Sequence, residues 1–506
     1  MPEEIVEKYK IDIYGASASI KIISGKDFVT LYDLSLPFIE TGTKALLAEI
    51  RERLITEISV TPKEIFDPKT IDILKEKFKV RIFKLLEQNI PHLTPENKMQ
   101  LTAYLINETL GLGVLEFLFS DPFLEEVVVN SSKEPVWVYH KVHGWLKTNI
   151  VISDETQIAN YASIIARRVG RQITTLDPLL DAHLVTGDRA NATLFPISTR
   201  GNTITIRKFA RKPWTVVDFV ANNTMSSDVA ALIWMTMQYE GNIIVSGGTA
   251  TGKTSFLQTC LPFIQPNHRI ISIEDTRELL LPEFLHWVPL TTREANPEGK
   301  GEITMLDLMV NSLRMRPDRI VVGEIRRQEQ AEVLFEAMHT GHSVYSTLHA
   351  DTAEQTIGRL VNPPINIPKN QLDAIDLLVV MFRDRRKRFR RIIEVSEIVP
   401  VGAEGVSAEV TLQPNALYRW RPVTDRLEEH KPSIKLFDRI GLYTGLGESE
   451  IKNDLKNKKK IIEWLVKNNT TDLNRIGKII AQYYNNEDSV ISAASKNSKP
   501  ESVAGG

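Results

Sequence analysis

The run Gly247-Gly248-Thr249-Ala250-Thr251-Gly252-Lys253-Thr254 constrains this chain more than any other stretch of its sequence. Ahead of it, Asn242 to Ser246 reads as a short buried strand; behind it, Lys253 to Leu261 reads as a helix stopped by Pro262. Glycines at a strand-to-helix turn let the backbone curl until successive N–H groups face inward on phosphate oxygens, and the positive end of the following helix adds to that field. The eight residues, with Ser255 beside them, form the expected phosphate cradle. Lys253 reaches the β and γ phosphates, and the Thr254 hydroxyl serves Mg²⁺. The pattern implies ATP bound with magnesium at a parallel-sheet edge.

Composition limits the remaining possibilities. A chain of 506 residues, 42% hydrophobic and 25% charged, holds about three ordinary domains with ample core. The formal net charge of −2 offers no global attraction for a polyanion, so nucleic acid is not expected as the main partner. A single cysteine, Cys260, excludes an internal disulfide framework and a site of paired thiolates; it reads as a small core residue and fits a reducing cytoplasm. The start, Met1-Pro-Glu-Glu, lacks a basic-then-apolar signal, and no apolar run reaches the roughly 18 residues that a spanning helix needs. A cytoplasmic protein that touches a membrane without crossing it is the expectation.

Along the chain, residues 1–104 mix short β-like runs with helical stretches (Lys44 to Ile58, Thr70 to Gln88) and form an N-terminal extension without evident chemistry. Residues 105–212 read as a small α+β domain, with strands at Glu125 to Asn130, Pro135 to His140, Ala192 to Pro196 and Thr203 to Arg207. Its helix, Asp154 to Val169, is capped by Asp154 and lines Ile158, Tyr161, Ile165 and Val169 on one face. A linker is expected at 213–222. Residues 223–415 alternate strands with helices, which argues for a largely parallel, doubly wound sheet. Residues 416–485 read as a helical, Lys-rich region, and 486–506 as a disordered tail.

Parallel strands deliver their carboxyl ends to one edge, so polar residues that follow apolar strands converge on one crevice. Four runs do this in order. The first ends at the phosphate loop, the second at Glu274-Asp275, the third at Gly323-Glu324 and the fourth at His349. Hydrolysis of a terminal phosphate requires charge neutralisation and a residue that orients the attacking water. Glu324 is the candidate for that role, acting on Mg²⁺ through water, with Thr254 as the direct metal ligand; Glu274 and Asp275 share the metal-water network. His342 and His349 flank the fourth strand, where a histidine can hydrogen-bond a phosphate or a catalytic carboxylate.

Together, the phosphate loop, Ile273-Glu274-Asp275-Thr276, the stretch Arg314 to Arg326, and Thr340-Gly341-His342-Ser343 through Thr347-Leu348-His349-Ala350 resemble the traffic ATPases of type II and type IV secretion and type IV pilus machines. They are similar to that family's Walker A, Asp-box, Walker B and His-box, in the family's order. Asp177 to Leu184, Gly187-Asp188-Arg189 and Ile206-Arg207-Lys208-Phe209 resemble its N-terminal domain, and Asp121-Pro122 with Val136 to His140 and Thr148-Asn149 resembles the archaeal branch.

The resemblance implies an α/β fold: a RecA-like P-loop motor domain, a preceding small α+β N-terminal domain and a helical C-terminal extension. It implies a homohexamer that binds ATP between two domains, closing on nucleotide and reopening after hydrolysis. Arg171, Arg189 and Arg207 fall where the family places phosphate-contacting arginines, although a surface salt bridge explains each equally well. Arg326 is expected to couple the domains. The lone cysteine departs from the tetracysteine zinc module of bacterial relatives, so zinc is not expected. The implied function is assembly of an archaeal type IV pilus through a polytopic inner-membrane platform protein, from a peripheral position on the cytoplasmic face of the cell membrane. The archaellum motor and a conjugation-type DNA-transfer ATPase remain as alternatives, and Glu324 argues against a third, a non-catalytic nucleotide-gated scaffold. The basic cluster Arg383, Arg385, Arg386, Lys387, Arg388, Arg390 and Arg391 reads either as a solvated hairpin or as a face for anionic membrane lipid, at about 1 kcal/mol per basic residue.

Overall fold

The computed structural model describes the whole chain except residues 1–3, 14–15, 25–28, 37–40, 59–67, 91, 185–186, 209–212, 296–298, 388, 402–410, 501–502 and 504–506. It divides into two units, Met1–Arg211 and Lys212–Gly506.

The first unit is built on a nine-stranded sheet. Its strands are β1 (Glu4–Ile13), β2 (Ala16–Ser24), β3 (Leu31–Ser35), β4 (Leu124–Val129), β5 (Trp137–His140), β6 (Gly144–Thr148), β7 (Leu179–His183), β8 (Arg189–Thr193) and β9 (Thr203–Arg207). They lie in the order β1-β2-β3-β6-β5-β4-β9-β8-β7. The first three strands were expected in a separate extension, yet β3 pairs with β6, and Ile20, Ile22 and Tyr32 join the same core as Val127, Val138 and Ile206. On β2 the alternating residues Ala18, Ile20 and Ile22 are buried and share one face, which packs into the core of the later strands. The helix Glu155–Arg168 packs Ile158, Ala162 and Ile165 on the sheet, with Asp154 capping the Gln157 N–H. Helices Thr41–Glu57, Pro68–Asn89 and Pro95–Leu110 share a core of their own around Ile50, Phe78, Ile82 and Leu105.

The second unit carries the phosphate loop. Its strands are β10 (Ile243–Gly247), β11 (Ile270–Glu274), β12 (Trp287–Thr291), β13 (Arg319–Val322), β14 (Ser343–Leu348), β15 (Leu377–Asp384), β16 (Phe389–Val401), β17 (Thr411–Arg421) and β18 (Arg426–Glu429). The order is β12-β11-β13-β14-β10-β15-β16-β17-β18, parallel from β12 to β15 and antiparallel beyond. Strands β10, β11, β13 and β14 are buried along their full length, as a parallel sheet covered on both faces requires. Helices lie between these strands and the sheet order doubles back at β10, which places the phosphate loop at the point where ligands bind in doubly wound folds.

Three expectations need correction. The stretch read as a linker holds a helix, Val216–Ala221, closed by a reciprocal Thr215/Asp218 capping box and buried through Val216, Val217 and Phe219. The sheet does not stop near residue 415, because β17 and β18 extend it to Glu429. The expected disordered tail contains a helix, Glu487–Ser495, which Asn486 caps and which inserts Val490 and Ala494 into the core. That core also takes Ile461, Trp464, Ile479 and Tyr483 from the Lys-rich helices, with Trp234 stacked on Phe263 at 5.3 Å. The sequence periodicity of the Lys-rich helices is legible, but nothing in it says which surface they cover. Among the described residues no helix is long and apolar enough to cross a membrane.

Candidate active site

The phosphate loop leaves β10 at Gly247, which stands opposite Met381 of β15. A side chain on Gly247 would bring its Cβ to 2.5 Å from the Met381 carbonyl oxygen, so only glycine fits. Gly252 has φ 98° and begins the helix Lys253–Cys260; Ala250, with φ 61°, is the strained non-glycine residue of the turn. Thr251 donates its hydroxyl to Gly248 O at 3.0 Å and ties the loop to itself. The Thr254 and Ser255 side chains lie half-buried on the first helical turn, and neither hydroxyl has a protein partner among the described residues.

Lys253 folds back over this loop. Its ammonium donates to Gly247 O at 2.8 Å and Gly248 O at 3.0 Å, and it lies 3.4 Å from His349 Nδ1. Burial lowers its pKa, against the opposing charges of Glu324 and Asp351. At the end of β14, His349 Nε2 sits 3.0 Å from Glu324 Oε1. Burial and the neighbouring Lys253 charge lower the imidazole pKa, with Glu324 opposing. The other oxygen of Glu324 accepts from Arg326 Nε at 3.0 Å and Nη2 at 2.8 Å, and Arg326 Nη1 reaches Asp275 Oδ2 at 2.9 Å. A continuous polar line therefore runs Lys253, His349, Glu324, Arg326, Asp275, crossing the ends of β14, β13 and β11. The strand ends are fixed by Thr347 Oγ1 donating to Gly323 O and by the Gly323 N–H donating to Ile273 O.

Two expected members do not join this line. Glu274 is buried at the end of β11, and its Oε1 accepts from the Glu278 and Leu279 N–H groups, while Oε2 has no partner. Burial pushes its pKa up to about 7, and the two N–H bonds pull it part of the way back. It shapes its own loop. His342 precedes β14, so the six residues of that strand, roughly 20 Å at 3.3 Å each, separate it from the phosphate-loop edge. Its Nδ1 lies near Thr340 Oγ1 and Ala337 O, and it serves as a helix-end group. The correction has a simple cause: residues that flank a strand on both sides face opposite edges of a parallel sheet.

In the first unit, Arg171 donates to the Asp181 carbonyl at 2.7 Å, and Arg189 forms a two-point pair with the Asp181 carboxylate at 3.0 and 2.5 Å. Arg207 ends β9 opposite Glu126 and Arg189. Arg326, expected to couple domains, bridges the Glu324 and Asp275 carboxylates of the second unit.

Two residues at the loop were missed. Asp351 places Oδ1 2.9 Å from where a Cβ on Gly248 would stand. It follows His349 by two residues, and the same strand-end rule would have found it. Arg390 donates from Nε to Ala250 O at 3.2 Å, although the sequence shows only a run of basic residues there.

The basic cluster is thus neither uniformly solvated nor uniformly available to lipid. Arg391 is buried, with Nε and Nη2 donating to Asp425 at 2.7 and 2.6 Å, which holds that carboxyl well below its usual range. Arg388 lies outside the described residues.

The parts present fit a magnesium-bound nucleotide. Magnesium keeps several waters and takes one or two protein oxygens besides phosphate, which matches a Thr254 hydroxyl that has no protein partner among the described residues. No group of three or more His, Cys, Asp or Glu side chains that could hold a metal by itself occurs among the described residues.

Residues 187–384 match the family model described as type II/IV secretion system protein. An uncharacterized protein of Methanocaldococcus jannaschii is 33% identical over 502 residues, which cover 94% of this chain and 89% of that one. A second uncharacterized protein of the same organism is 45% identical over 237 residues, covering 46% of this chain and 32% of the relative. The conjugal transfer protein TrbB of Rhizobium radiobacter is 30% identical over 230 residues, 44% of this chain and 68% of that protein.

Proposed function

The chain belongs to the type II/IV secretion system protein family, and on that premise we propose that it is an ATP-hydrolysing motor of such a machine. The observation that carries this is the unbroken polar line from Lys253 through His349 to Glu324, lying at the sheet edge where the phosphate loop opens.

The residues divide the work by their chemistry. Gly247 to Gly252 turn backbone N–H groups toward the phosphates, with the Ser255 and Thr254 hydroxyls at the helix start. Lys253 exchanges its bonds to the Gly247 and Gly248 carbonyls for β and γ phosphate oxygens, a gain because its ammonium then faces a full negative charge and not a neutral carbonyl dipole. Glu324 orients the attacking water, held by His349 on one oxygen and Arg326 on the other. Thr254, and Glu324 through water, would hold Mg²⁺, which supplies neutralisation of charge on the transferred phosphoryl group. Asp275 positions Arg326, and Glu274 positions the turn that carries Asp275.

The finer assignment is an archaeal type IV pilus assembly motor, working as a homohexamer against a polytopic membrane platform protein; the near full-length Methanocaldococcus relative supports an archaeal setting. The likeness to a conjugal transfer protein favours a second reading, a DNA-transfer motor. Turnover by the purified chain tests the enzyme: wild type hydrolyses ATP, whereas Glu324→Gln binds ATP without cleaving it. Brisk hydrolysis by that variant removes Glu324 from its role. Stimulation by DNA and not by membranes carrying the platform protein would replace the pilus reading with the transfer reading.

A further inference from the structure

We propose that Arg390 is a nucleotide-phosphate contact delivered to the phosphate loop by the β15–β16 hairpin. The inference rests on the nucleotide-binding reading above and extends its site to a strand that no motif covers.

The hairpin's position follows from register. Strand β15 runs parallel to β10, with Met381 opposite Gly247, the residue at which β10 gives way to the loop. Residues Phe382, Arg383 and Asp384 therefore run past the sheet edge alongside the loop, and β16 returns over the same ground with Arg390 opposite Arg383. The Asp384 carboxylate closes the turn by accepting from the Arg386 and Lys387 N–H groups at 2.8 Å. The returning strand is firmly held: Arg391 is forked onto Asp425, which also accepts from Trp420 Nε1 at 2.9 Å, and Phe389 meets the Trp420 ring at 5.9 Å.

On that fixed strand Arg390 donates Nε to Ala250 O at 3.2 Å, and its Cδ lies 3.4 Å from where a Cβ on Gly252 would stand. That is the one hydrogen bond of its side chain among the described residues, so the terminal amino groups of the guanidinium keep their donors unused beside a loop shaped for phosphate. The cross-strand partner is a second arginine. A planar guanidinium with free donors suits a phosphate oxygen better than an ammonium would. The ligand is therefore the di- or triphosphate chain of a nucleotide, with Ala250 O fixing the angle at which Arg390 meets it.

The test uses the full chain and fluorescent ADP, with adenosine and pyrophosphate as competitors. Arg390→Ala should weaken ADP binding by about tenfold or more, the loss expected for one charge-assisted contact. It should weaken pyrophosphate competition in parallel and leave adenosine competition unchanged. Arg390→Lys should recover part of the affinity. Arg390→Gln keeps a donor for Ala250 O but no charge, and should bind as poorly as Arg390→Ala. Wild-type affinity in Arg390→Gln would mean that the residue only shapes the loop, and equal losses for adenosine and ADP would mean that it acts on the base side; either overturns the proposal. Unchanged ADP binding in Arg390→Ala overturns it too, with the nucleotide reading intact, whereas a wild-type chain that binds no ADP overturns both. The melting temperature without nucleotide should match wild type in all three variants.

Discussion

His349 presents Nε2 to Glu324 Oε1 at 3.0 Å and Nδ1 to the Lys253 ammonium at 3.4 Å. An ammonium can only donate, so Nδ1 accepts and the proton sits on Nε2, donated to the carboxylate. That tautomer is a neutral imidazole. The lowered pKa of His349 agrees, because a cation there would be half-buried beside Lys253.

The neutral imidazole has a pH consequence. A histidine with a folded pKa below its unfolded value of 6.5 takes up its proton later than the unfolded chain does, so stability falls as pH drops from 6.5 through the lowered pKa. Denaturant titrations at pH 7 and pH 5 should show a smaller loss in His349→Gln than in wild type. An equal loss in both would place the acid sensitivity elsewhere.

Glu274 works in the opposite direction. Its folded pKa is raised to about 7 from 4.5, so its contribution is fully present below pH 4.5 and is lost as pH rises to about 7. A shift of that size in a buried carboxyl corresponds to ~3 kcal/mol. Glu274→Gln keeps an oxygen for the Glu278 and Leu279 N–H groups and removes the charge, so it should equal or exceed wild type in stability at pH 8. Thermal melts decide it, and a strongly destabilised Gln variant would show that the carboxylate is needed ionised.

Arg326 separates stability from catalysis. Its side chain is 59% exposed, so its pairs with Glu324 and Asp275 contribute under about 1 kcal/mol to folding. Its two bonds to one Glu324 oxygen fix the carboxylate that orients water. Arg326→Ala should therefore melt within a few degrees of wild type while kcat falls by roughly 10²-fold, in the range of lost general-base geometry. Arg326→Lys should recover little, because an ammonium cannot form the fork. Full turnover in Arg326→Ala would remove the arginine from the site.

Much of this site was legible because its chemistry is ordered by topology. The strands ahead of Lys253 and Glu324 are runs of Ile and Val, His349 follows Val344-Tyr345-Ser346-Thr347-Leu348, and parallel strands of this kind end on one edge. Glu274 obeys the same rule in position but not in orientation: the turn to Leu279 captures it, and a turn's hydrogen bonds leave no periodic trace. His342 was misplaced by adjacency to the strand without regard to direction. Arg390 was hidden among six other basic residues, since only the register of β15 against β10 shows which of them reaches the loop. The merging of β1 to β3 with the later sheet is a long-range pairing, and the core position of the helix Val216–Ala221 depends on partners far away in sequence.

Gly247 gives the most direct geometric test. Its absent side chain leaves room for the Met381 carbonyl on β15, and an added Cβ would sit 2.5 Å from that oxygen and 2.7 Å from Thr251 Oγ1. Neither neighbour can retreat easily: the carbonyl belongs to a central strand, and the hydroxyl is bonded to Gly248 O. Gly247→Ala should cost about 1–3 kcal/mol, as overpacking of a close contact does. It should also distort the turn enough to weaken ATP binding beyond what that stability loss explains. Met381→Ala offers a control, because it shortens the side chain without moving the offending oxygen, so the double variant should bind ATP no better than Gly247→Ala alone. Rescue by Met381→Ala would show that the side chain, and not the backbone, sets the limit on this position.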